Sequence, residues 1–283
     1  MATLITLKRR IKTAKNVSKT TKAMQLISAS KLKKAQNAAV FAKPYVRKLD
    51  ELTKNIYQRI DTENINDYMK IHENVNLKLI IVVSPDKGLS GGLVTNLIKE
   101  VLRIDEKNKN LYITVGKKAE NYVSGLGKEI VASFPFGSSI PAFDMVYPII
   151  KIVDDYFLNE KISEVSVITT KFISVFTQTP QTNTILPIAL LEENTKKEAN
   201  MLFEPSTGAL LPDLLRHYLE MVIYQSLLES YASEQAARMI AMKNATDNAK
   251  DIIDQLQLLY NKSRQERITN ELLDIGGGSL AYA

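Results

Sequence analysis

The sequence contains no cysteine and only two histidines, His72 and His217. The absence of cysteine excludes disulfide bonds, thiolate zinc sites, iron–sulfur clusters and cysteine nucleophiles. Two histidines are too few for a histidine-rich metal site, and they leave no Ser-His-Asp arrangement to nominate. We therefore expect no metal site and no catalytic group of these kinds.

A long apolar run is also missing. The longest uncharged stretch, residues 172–191, carries Gln178, Pro180 and Asn183 near its middle, which a spanning helix of about 20 residues does not tolerate. Four basic residues between Lys8 and Lys12 interrupt the apolar region that a signal peptide needs. We expect a soluble protein of a reducing compartment. A mitochondrial targeting segment is the less favoured interpretation of the basic start, because no extra segment precedes the functional start.

Acidic residues are absent from the first 49 positions, which hold ten lysines and three arginines. The chain of 283 residues has a formal net charge of +6, so its positive excess comes from this terminal segment. Such a segment indicates an anionic partner: an acidic protein surface, a membrane surface or nucleic acid. Nucleic acid is the weaker candidate, because no aromatic residues are interleaved and no reading motif is present. An ordinary solvated helix face stays open.

Proline and glycine are absent from residues 3–43, which predicts one helix that Thr3 can cap. Pro44 should kink or break this helix, and residues 45–60 predict a further helical stretch. One face carries a stripe that is apolar at both ends and polar over residues 18–28. The stripe consists of Leu4, Leu7, Ile11, Ala14, Ser18, Thr21, Gln25, Ser28, Leu32, Ala35 and Ala39.

A second stretch without glycine or further proline runs from Pro212 to Ile275. Pro212 suits a first helical turn, and Gly276–Gly278 predict a hard stop. Spacing by three and four follows a heptad: Tyr218, Met221, Gln225, Leu228, Ala232, Gln235, Met239, Met242, Thr246, Ala249, Ile253, Leu256, Tyr260 and Ser263. We predict an antiparallel coiled coil of the two terminal helices, with the middle of the chain inserted between them.

The middle of the chain alternates between short apolar runs and helical patterns, which predicts an α/β domain with a mainly parallel sheet. The expected strands are residues 77–83, 111–115, 165–170 and 172–176, followed by an extended segment to Leu191. The expected helices begin after the glycine turn at 88–92, at Lys117 and at Met145. The fold class is therefore α/β, with a Rossmann-like domain between long helices.

The turn Gly88-Leu89-Ser90-Gly91-Gly92 follows a strand and precedes a helix, as phosphate loops do. However, the sequence contains neither a GxxxxGK[ST] nor a GxGxxG motif, so a tight structural turn is the favoured interpretation. The paired carboxylates at residues 154–155 and 192–193 do not face each other on a helix. We nominate no catalytic, cofactor-binding or metal-binding residue, and we expect no cofactor.

Three segments resemble the gamma subunit of F-type ATP synthases, and together they span the chain. They are residues 20–24 (TTKAM) with 28–32 (SASKL), residues 84–92 (SPDKGLSGG), and residues 233–248 (SEQAARM through MKNATDN) continuing to 272. The family's glycine motif usually has Arg, Cys and Asn where this chain has Lys87, Ser90 and Val94. The absence of cysteine and of a long central insertion argues against the thiol-regulated chloroplast form and favours a bacterial protein.

The resemblance implies a non-catalytic central rotor shaft that couples proton or sodium ion flow through a membrane c-ring to ATP synthesis or hydrolysis on a ring of alpha and beta subunits. It implies alpha and beta partners in a 3:3:1 complex, an epsilon subunit and the c-ring, with no nucleic acid and no membrane insertion. It also implies a peripheral location on the cytoplasmic face of a bacterial plasma membrane. The alternatives are a nucleotide-dependent α/β enzyme and a nucleic-acid-binding coiled coil.

The resemblance also assigns contact residues. Those expected to meet the alpha/beta ring are Met24, Arg238, Gln265, Thr269 and Glu271, together with the basic residues Lys8 and Arg9. An apolar bearing is expected to include Leu272, Leu273, Ile275 and Leu280, and a foot contact with epsilon and the c-ring is expected at Phe203, Glu204 and Pro205. The implied division is a coiled-coil helix (1–60), a linker (61–76), a central foot domain (77–205) and a second coiled-coil helix with a tail (206–283).

Overall fold

The computed structural model describes residues 3–57, 66–72, 75–105, 110–188 and 206–280. These residues form two compact units. The first unit combines the chain up to Ser28 with the chain from Met239 onward, and the second contains the residues from Ala29 to Arg238. Two long helices, α1 (Leu4–Tyr57) and α5 (Thr207–Leu280), contribute residues to both units. No helix in the described ranges combines the length and the apolar character that crossing a membrane requires.

The first unit consists of the start of α1 and the second half of α5, which run antiparallel. Thr21 of α1 meets Thr246 of α5, with 2.7 Å between the two hydroxyl oxygens. Residues of α1 closer to its start, between Thr6 and Val17, lie beside residues farther along α5, between Ala249 and Leu256. The antiparallel pairing predicted from the two stripes is therefore confirmed.

Burial follows the predicted stripes closely. None of the eleven stripe positions of α1 and none of the fourteen of α5 is exposed, and each is either buried or half-buried. In contrast, the positions between them include most of the charged residues of both helices. The 3.5-residue spacing of a coiled coil keeps one seam facing the partner helix, which is why the stripe alone identifies the buried face.

The second unit is built around a five-stranded sheet in the order β3-β2-β1-β4-β5. The strands are β1 (Lys78–Val83), β2 (Asn110–Val115), β3 (Ile130–Phe134), β4 (Glu164–Phe172) and β5 (Gln178–Leu186). The first four are parallel to their neighbours, and β5 is antiparallel to β4. This arrangement confirms the predicted mainly parallel sheet.

Three short helices accompany the sheet: α2 (Leu93–Asp105), α3 (Lys117–Gly125) and α4 (Val146–Phe157). Five of the six residues of β1 and all six of β2 are buried, as expected for central strands of a parallel sheet with helices on its faces. One core cluster joins these strands to α2 and α3 through Ile80, Val82, Leu97, Tyr112 and Val123. The core therefore forms where apolar residues of strand and helix meet.

Two predictions about strands are wrong. Strand β3 was not predicted, because its sequence IVASF contains two small residues and lacks the apolar run of a central strand. In the structure, most of its residues are accordingly only half-buried. Residues 172–176 were predicted to be a strand, but β4 ends at Phe172. There the Ser174 hydroxyl accepts hydrogen bonds from the amides of Phe176 and Thr177, at 3.3 and 3.1 Å, which closes a turn despite the β-branched and aromatic composition.

One prediction about helix ends is wrong. Helix α1 is not broken at Pro44 but continues to Tyr57, so the helical stretch predicted after the proline is confirmed, and Leu49 within that stretch is buried. Helix α5 begins at Thr207, before Pro212, and continues through the three glycines to Leu280. Glycine permits a left-handed stop but is equally able to take the right-handed helical conformation. In contrast, the predicted cap is confirmed, since the Thr3 hydroxyl accepts from the Thr6 amide at 3.3 Å.

Candidate partner-binding surface

The outer surface of the first unit is basic along α1. Seven basic side chains of α1 in this unit are exposed, and no acidic residue lies among them. They are Lys8, Arg9, Arg10, Lys12, Lys15, Lys19 and Lys22. The predicted contacts Lys8 and Arg9 belong to this set and are therefore accessible. Exposed charges of one sign create a field that attracts an acidic partner.

The same surface is unusually apolar for one that faces water. Ten large apolar side chains of this unit are more than a third exposed: Ile5, Val17, Leu26, Ile27, Ile252, Leu258, Leu259, Ile268, Leu272 and Leu273. Exposed apolar surface bordered by polar groups is characteristic of protein interaction sites. Leu272 and Leu273, both predicted to lie in an apolar bearing, are 64% and 66% exposed.

Arg9 and Arg10 border a groove whose floor is formed by both helices of the unit. Ala14 and Val17 of α1, with Ala249, Ile252 and Leu256 of α5, supply its apolar lining. The groove therefore combines guanidinium groups with an apolar floor. This is the chemistry that an amphipathic acidic segment of a partner would match.

The seam beneath this surface is polar at the middle of the unit. The two hydroxyls of Thr21 and Thr246 lie 2.7 Å apart, and each is also within hydrogen-bonding distance of a carbonyl of its own helix, Ser18 or Met242. One hydroxyl therefore donates to the other, which donates to its own helix. Met24, a predicted ring contact, lies one turn farther along α1 and is half-buried.

Three further predicted contacts lie on the outer face of α5. Gln265, Thr269 and Glu271 are all exposed. The Thr269 hydroxyl donates to the Gln265 carbonyl at 3.0 Å, and Arg267 donates to Glu271 at 2.7 Å. The structure thus brings the polar groups of Gln265 and Thr269 to one face of the helix. Their contact with a partner stays a prediction.

Arg238 lies in the second unit and has partners within the chain. Its guanidinium donates to Glu234 at 2.5 Å and to the carbonyl oxygens of Lys87 and Gly88, at 3.2 Å each. The Arg238 side chain is only 11% exposed and that of Glu234 5%. Burial raises the pKa of Glu234, and the positive charge of Arg238 opposes that shift. Sequence reasoning did not assign Glu234 a role, although its spacing of four from Arg238 was a signal.

Phe203, Glu204 and Pro205, the predicted foot contacts, lie outside the described residues. The side chains of Ile275 and Leu280 also lie outside the part of the chain whose side chains the structure describes. Their roles stay predictions.

The carboxyl edge of the sheet, where a nucleotide would bind in many α/β proteins, is closed by the protein's own groups. The Asp86 carboxylate, just after β1, accepts hydrogen bonds from the amides of Lys117 and Gly137 at 2.9 and 2.7 Å. Burial alone would raise the pKa of Asp86, but backbone hydrogen bonds outweigh it and hold the pKa below its usual value. Asp86 therefore acts as an internal anion at the start of α3.

The next two amides of α3 are also satisfied. The Lys118 amide donates to the Pro85 carbonyl at 3.2 Å, and the Ala119 amide donates to the Ser84 hydroxyl at 2.7 Å. Gly116, with φ of +99°, permits this close approach, because a Cβ there would lie 2.0 Å from the Ser84 carbonyl oxygen. The start of α3, a helix start at this edge of the sheet that could hold a phosphate, is thus occupied by groups of the chain itself. Across the described ranges, no three His, Asp or Glu side chains are grouped to hold a metal ion.

The sequence matches a family model described as ATP synthase over residues 3–282. An ATP synthase gamma chain from Dehalococcoides mccartyi is 37% identical over 285 residues, covering 100% of both chains. An ATP synthase gamma chain from Legionella pneumophila is 36% identical over 280 residues, covering 96% of both.

Solved structures share the fold at lower identity. A chain of the Euglena gracilis mitochondrial ATP synthase, in an assembly described as OSCP/F1/c-ring, has a TM-score of 0.72 at 17% identity, covering 98% of this chain and 94% of that one. A chain of the Tetrahymena thermophila mitochondrial ATP synthase central stalk and c-ring has a TM-score of 0.60 at 23% identity, covering 80% of this chain and 98% of that one.

Proposed function

Because this chain belongs to the ATP synthase gamma-chain family, we propose that its first unit is the part of a central rotor shaft that turns inside a ring of alpha and beta subunits. The chain is a rotor subunit and not the catalytic subunit of the complex. It is part of a peripheral, membrane-associated complex. The observation that supports the proposal best is the outer surface of the coil. This surface is basic and exposes apolar side chains, even though the seam between the two helices already buries an apolar stripe.

The physical argument concerns the strength of the contacts. An exposed ion pair contributes only about 0–1 kcal/mol, so seven exposed basic side chains can attract an acidic ring surface without holding the shaft at one angle. The exposed apolar residues add contacts that have no preferred direction. Such a surface suits a partner that must stay in contact while it slides.

The proposal extends to the finer assembly. We infer a complex with three alpha and three beta subunits per chain, an epsilon subunit and a c-ring, located on the cytoplasmic face of the plasma membrane. Within it, residues 203–205 contribute to the foot, and seven residues contact the ring. These are Met24, Arg238, Gln265, Thr269 and Glu271, with the basic residues Lys8 and Arg9. Residues 1–60 and 206–283 supply the helices, residues 61–76 the linker and residues 77–205 the foot domain.

The test is co-expression of this chain with alpha and beta subunits from the same source. ATP hydrolysis is then measured on the purified complex while a probe attached to the foot domain reports rotation. Rotation of the probe that requires ATP supports the proposal. A chain that purifies without alpha and beta subunits contradicts it.

A charge variant tests the proposed surface itself. Lys8, Arg9 and Lys12 are replaced together by glutamine, and the expected result is weaker assembly at low ionic strength, with a smaller difference at high salt, since screening removes the same attraction. The matched control replaces Lys33, Lys34 and Arg47, which are two lysines and one arginine exposed on α1 in the second unit. Equal assembly of both variants would reject the basic surface as a ring contact.

A further inference from the structure

Helix α5 is bonded to the sheet of the second unit at the carboxyl ends of two strands. Arg238 donates to the carbonyl oxygens of Lys87 and Gly88, which follow β1, at 3.2 Å each. Ser233 donates from its hydroxyl to the carbonyl oxygen of Thr170, near the end of β4, at 2.9 Å. All the acceptors are backbone carbonyl oxygens, one within β4 and two in the loop that follows β1.

A third loop is bonded in the same way, by both long helices. The Tyr231 hydroxyl of α5 donates to the carbonyl oxygen of Ser138, which follows β3, at 3.2 Å. The Lys31 ammonium of α1 donates to that same oxygen at 2.6 Å. We call Lys31, Tyr231, Ser233 and Arg238 the anchor side chains.

The anchor side chains of α5 lie on opposite sides of the helix. At about 100° per residue, Tyr231 and Arg238 lie within about 20° of each other around the axis, whereas Ser233 lies about 140–160° away from both. Rotation of α5 about its own axis would therefore distort hydrogen bonds on both sides of the helix at once. The bond from Ser233 to Thr170 is buried, so water cannot readily replace that bond once it is lost.

Apolar packing alone would not resist such a rotation equally well. Hydrophobic contacts are non-directional, and a smooth apolar interface can slip. A hydrogen bond weakens steeply once its angle falls below about 120°. The bonded carbonyls therefore add a directional element that apolar packing lacks.

We propose that the anchor side chains form a torsional joint that fixes α5 and α1 against rotation relative to the sheet of the second unit. This inference rests on the proposed rotor function and deepens it. A rotor transmits torque only as well as its most compliant joint. In this joint, the resistance to rotation comes from four side chains that donate hydrogen bonds to backbone carbonyls.

The experiment uses the assembled complex with a probe on the foot domain. The test variant is Tyr231→Phe with Ser233→Ala, which removes one hydroxyl from each of two opposite faces of α5. The control is Tyr224→Phe with Ser226→Ala, which removes the same atoms two turns earlier at the same spacing. In the control region the Ser226 hydroxyl donates to Val222 of its own helix, at 2.9 Å.

The width of the probe's angular distribution during catalytic pauses reports the torsional stiffness. The expected result is a wider distribution for the test variant than for the control, with ATP hydrolysis retained in both, because the catalytic sites lie on other subunits. Equal widths in the two variants would overturn the joint. If the test variant does not assemble, Ser233→Ala and Ser226→Ala are compared alone by the same criterion.

Failure of the rotor proposal would be recognised separately. It would appear in the unmodified chain as absence of assembly or of rotation. Failure of the joint would appear only in the comparison of the two variants, with the unmodified complex rotating normally.

Discussion

Replacing Arg238 with glutamine should remove the counterion of a carboxylate that is almost wholly buried. The Glu234 side chain is 5% exposed, and within the described residues its Oε2 atom has no hydrogen-bond partner. Its other oxygen accepts from Arg238 at 2.5 Å. Arg238 therefore supplies the main stabilising charge for an ion that cannot reach water.

The size of the effect follows from this burial. Removing one partner of a buried ion pair costs about 3–5 kcal/mol, because the remaining charge is left uncompensated. Glu234→Gln should cost less, since Arg238 keeps its hydrogen bonds to the carbonyls of Lys87 and Gly88. The double variant should cost less than the sum of the two single variants, because it leaves no unpaired buried carboxylate.

The pH dependence gives a second, independent signature. Burial raises the pKa of Glu234 above its ordinary value, and Arg238 opposes this shift, so the pKa should rise further in Arg238→Gln. A raised carboxyl pKa means that the folded chain binds protons more tightly than the unfolded chain. The contribution of Glu234 to the free energy of unfolding is therefore fully present below the pKa that this carboxyl has in the unfolded chain. It is lost as the pH rises through the pKa that the carboxyl has in the folded chain. Arg238→Gln should consequently be more destabilising at pH 8 than at pH 5.

The assay is urea unfolding of the full-length chain at these two pH values, followed by circular dichroism. The control is Arg47→Gln, which breaks an exposed pair with Glu51 at the same four-residue spacing and should shift the urea midpoint little at either pH. The reasoning is refuted if Arg238→Gln behaves like this control. It is also refuted if the double variant retains the pH dependence of the single one.

Three further predictions concern other parts of the chain. Gly116→Ala should cost more than about 3 kcal/mol in urea unfolding, because steric overlap adds to the positive φ. Gly127→Ala, where φ is +67° and the space is open, should cost only about 1–2 kcal/mol. Thr246→Val should lower the melting temperature, because about 1 kcal/mol of stability is lost with the hydrogen bond. Adding Thr21→Val should restore part of the melting temperature, and a double variant without this restoration would exclude a coupled hydroxyl pair. Leu272→Glu should reduce recovery of the complex in size-exclusion chromatography while Leu272→Ala retains it, and equal recovery would reject the apolar bearing.

The long helices and their buried faces could be predicted because periodicity is a property of the sequence itself. The heptad spacing of α5 depends only on which positions are apolar, and a helix turns its side chains by a constant angle. Tyr260 and Ser263, near the end of the predicted stripe, are accordingly half-buried, whereas Leu258 and Leu259 between the stripe positions are exposed.

The helix ends and the edge strand could not be predicted as well, because they depend on competition between local options. Gly276–Gly278 allow either a stop or a continued helix, and the sequence signal favoured the wrong one. Strand β3 owes its existence to pairing with β2 and not to its own composition. Pairing of this kind is a tertiary effect that a single segment does not reveal.

The partners of Arg238 within the chain show the same limit at the level of one side chain. The motif around it is specific enough to indicate the family, and its contact with the ring stays a prediction. The structure shows its guanidinium bonded to a carboxylate and to two backbone carbonyls within the chain. Which of several acceptors an arginine reaches depends on loops distant in sequence, here residues 87 and 88, and periodicity carries no information about them.

The chain therefore uses charge in two different ways, and the difference in strength fits a rotor. On the outer coil, exposed basic groups contribute about 0–1 kcal/mol each to any ion pair they form, so contacts there can be exchanged at little cost. At Glu234 and Arg238, loss of one partner costs about 3–5 kcal/mol, so that contact is retained. A shaft requires weak contacts with the ring around it and strong ones within its own joint. A pair that became fully buried between shaft and ring would hold the rotor at one angle, and replacing the joint by weak exposed pairs would let it slip.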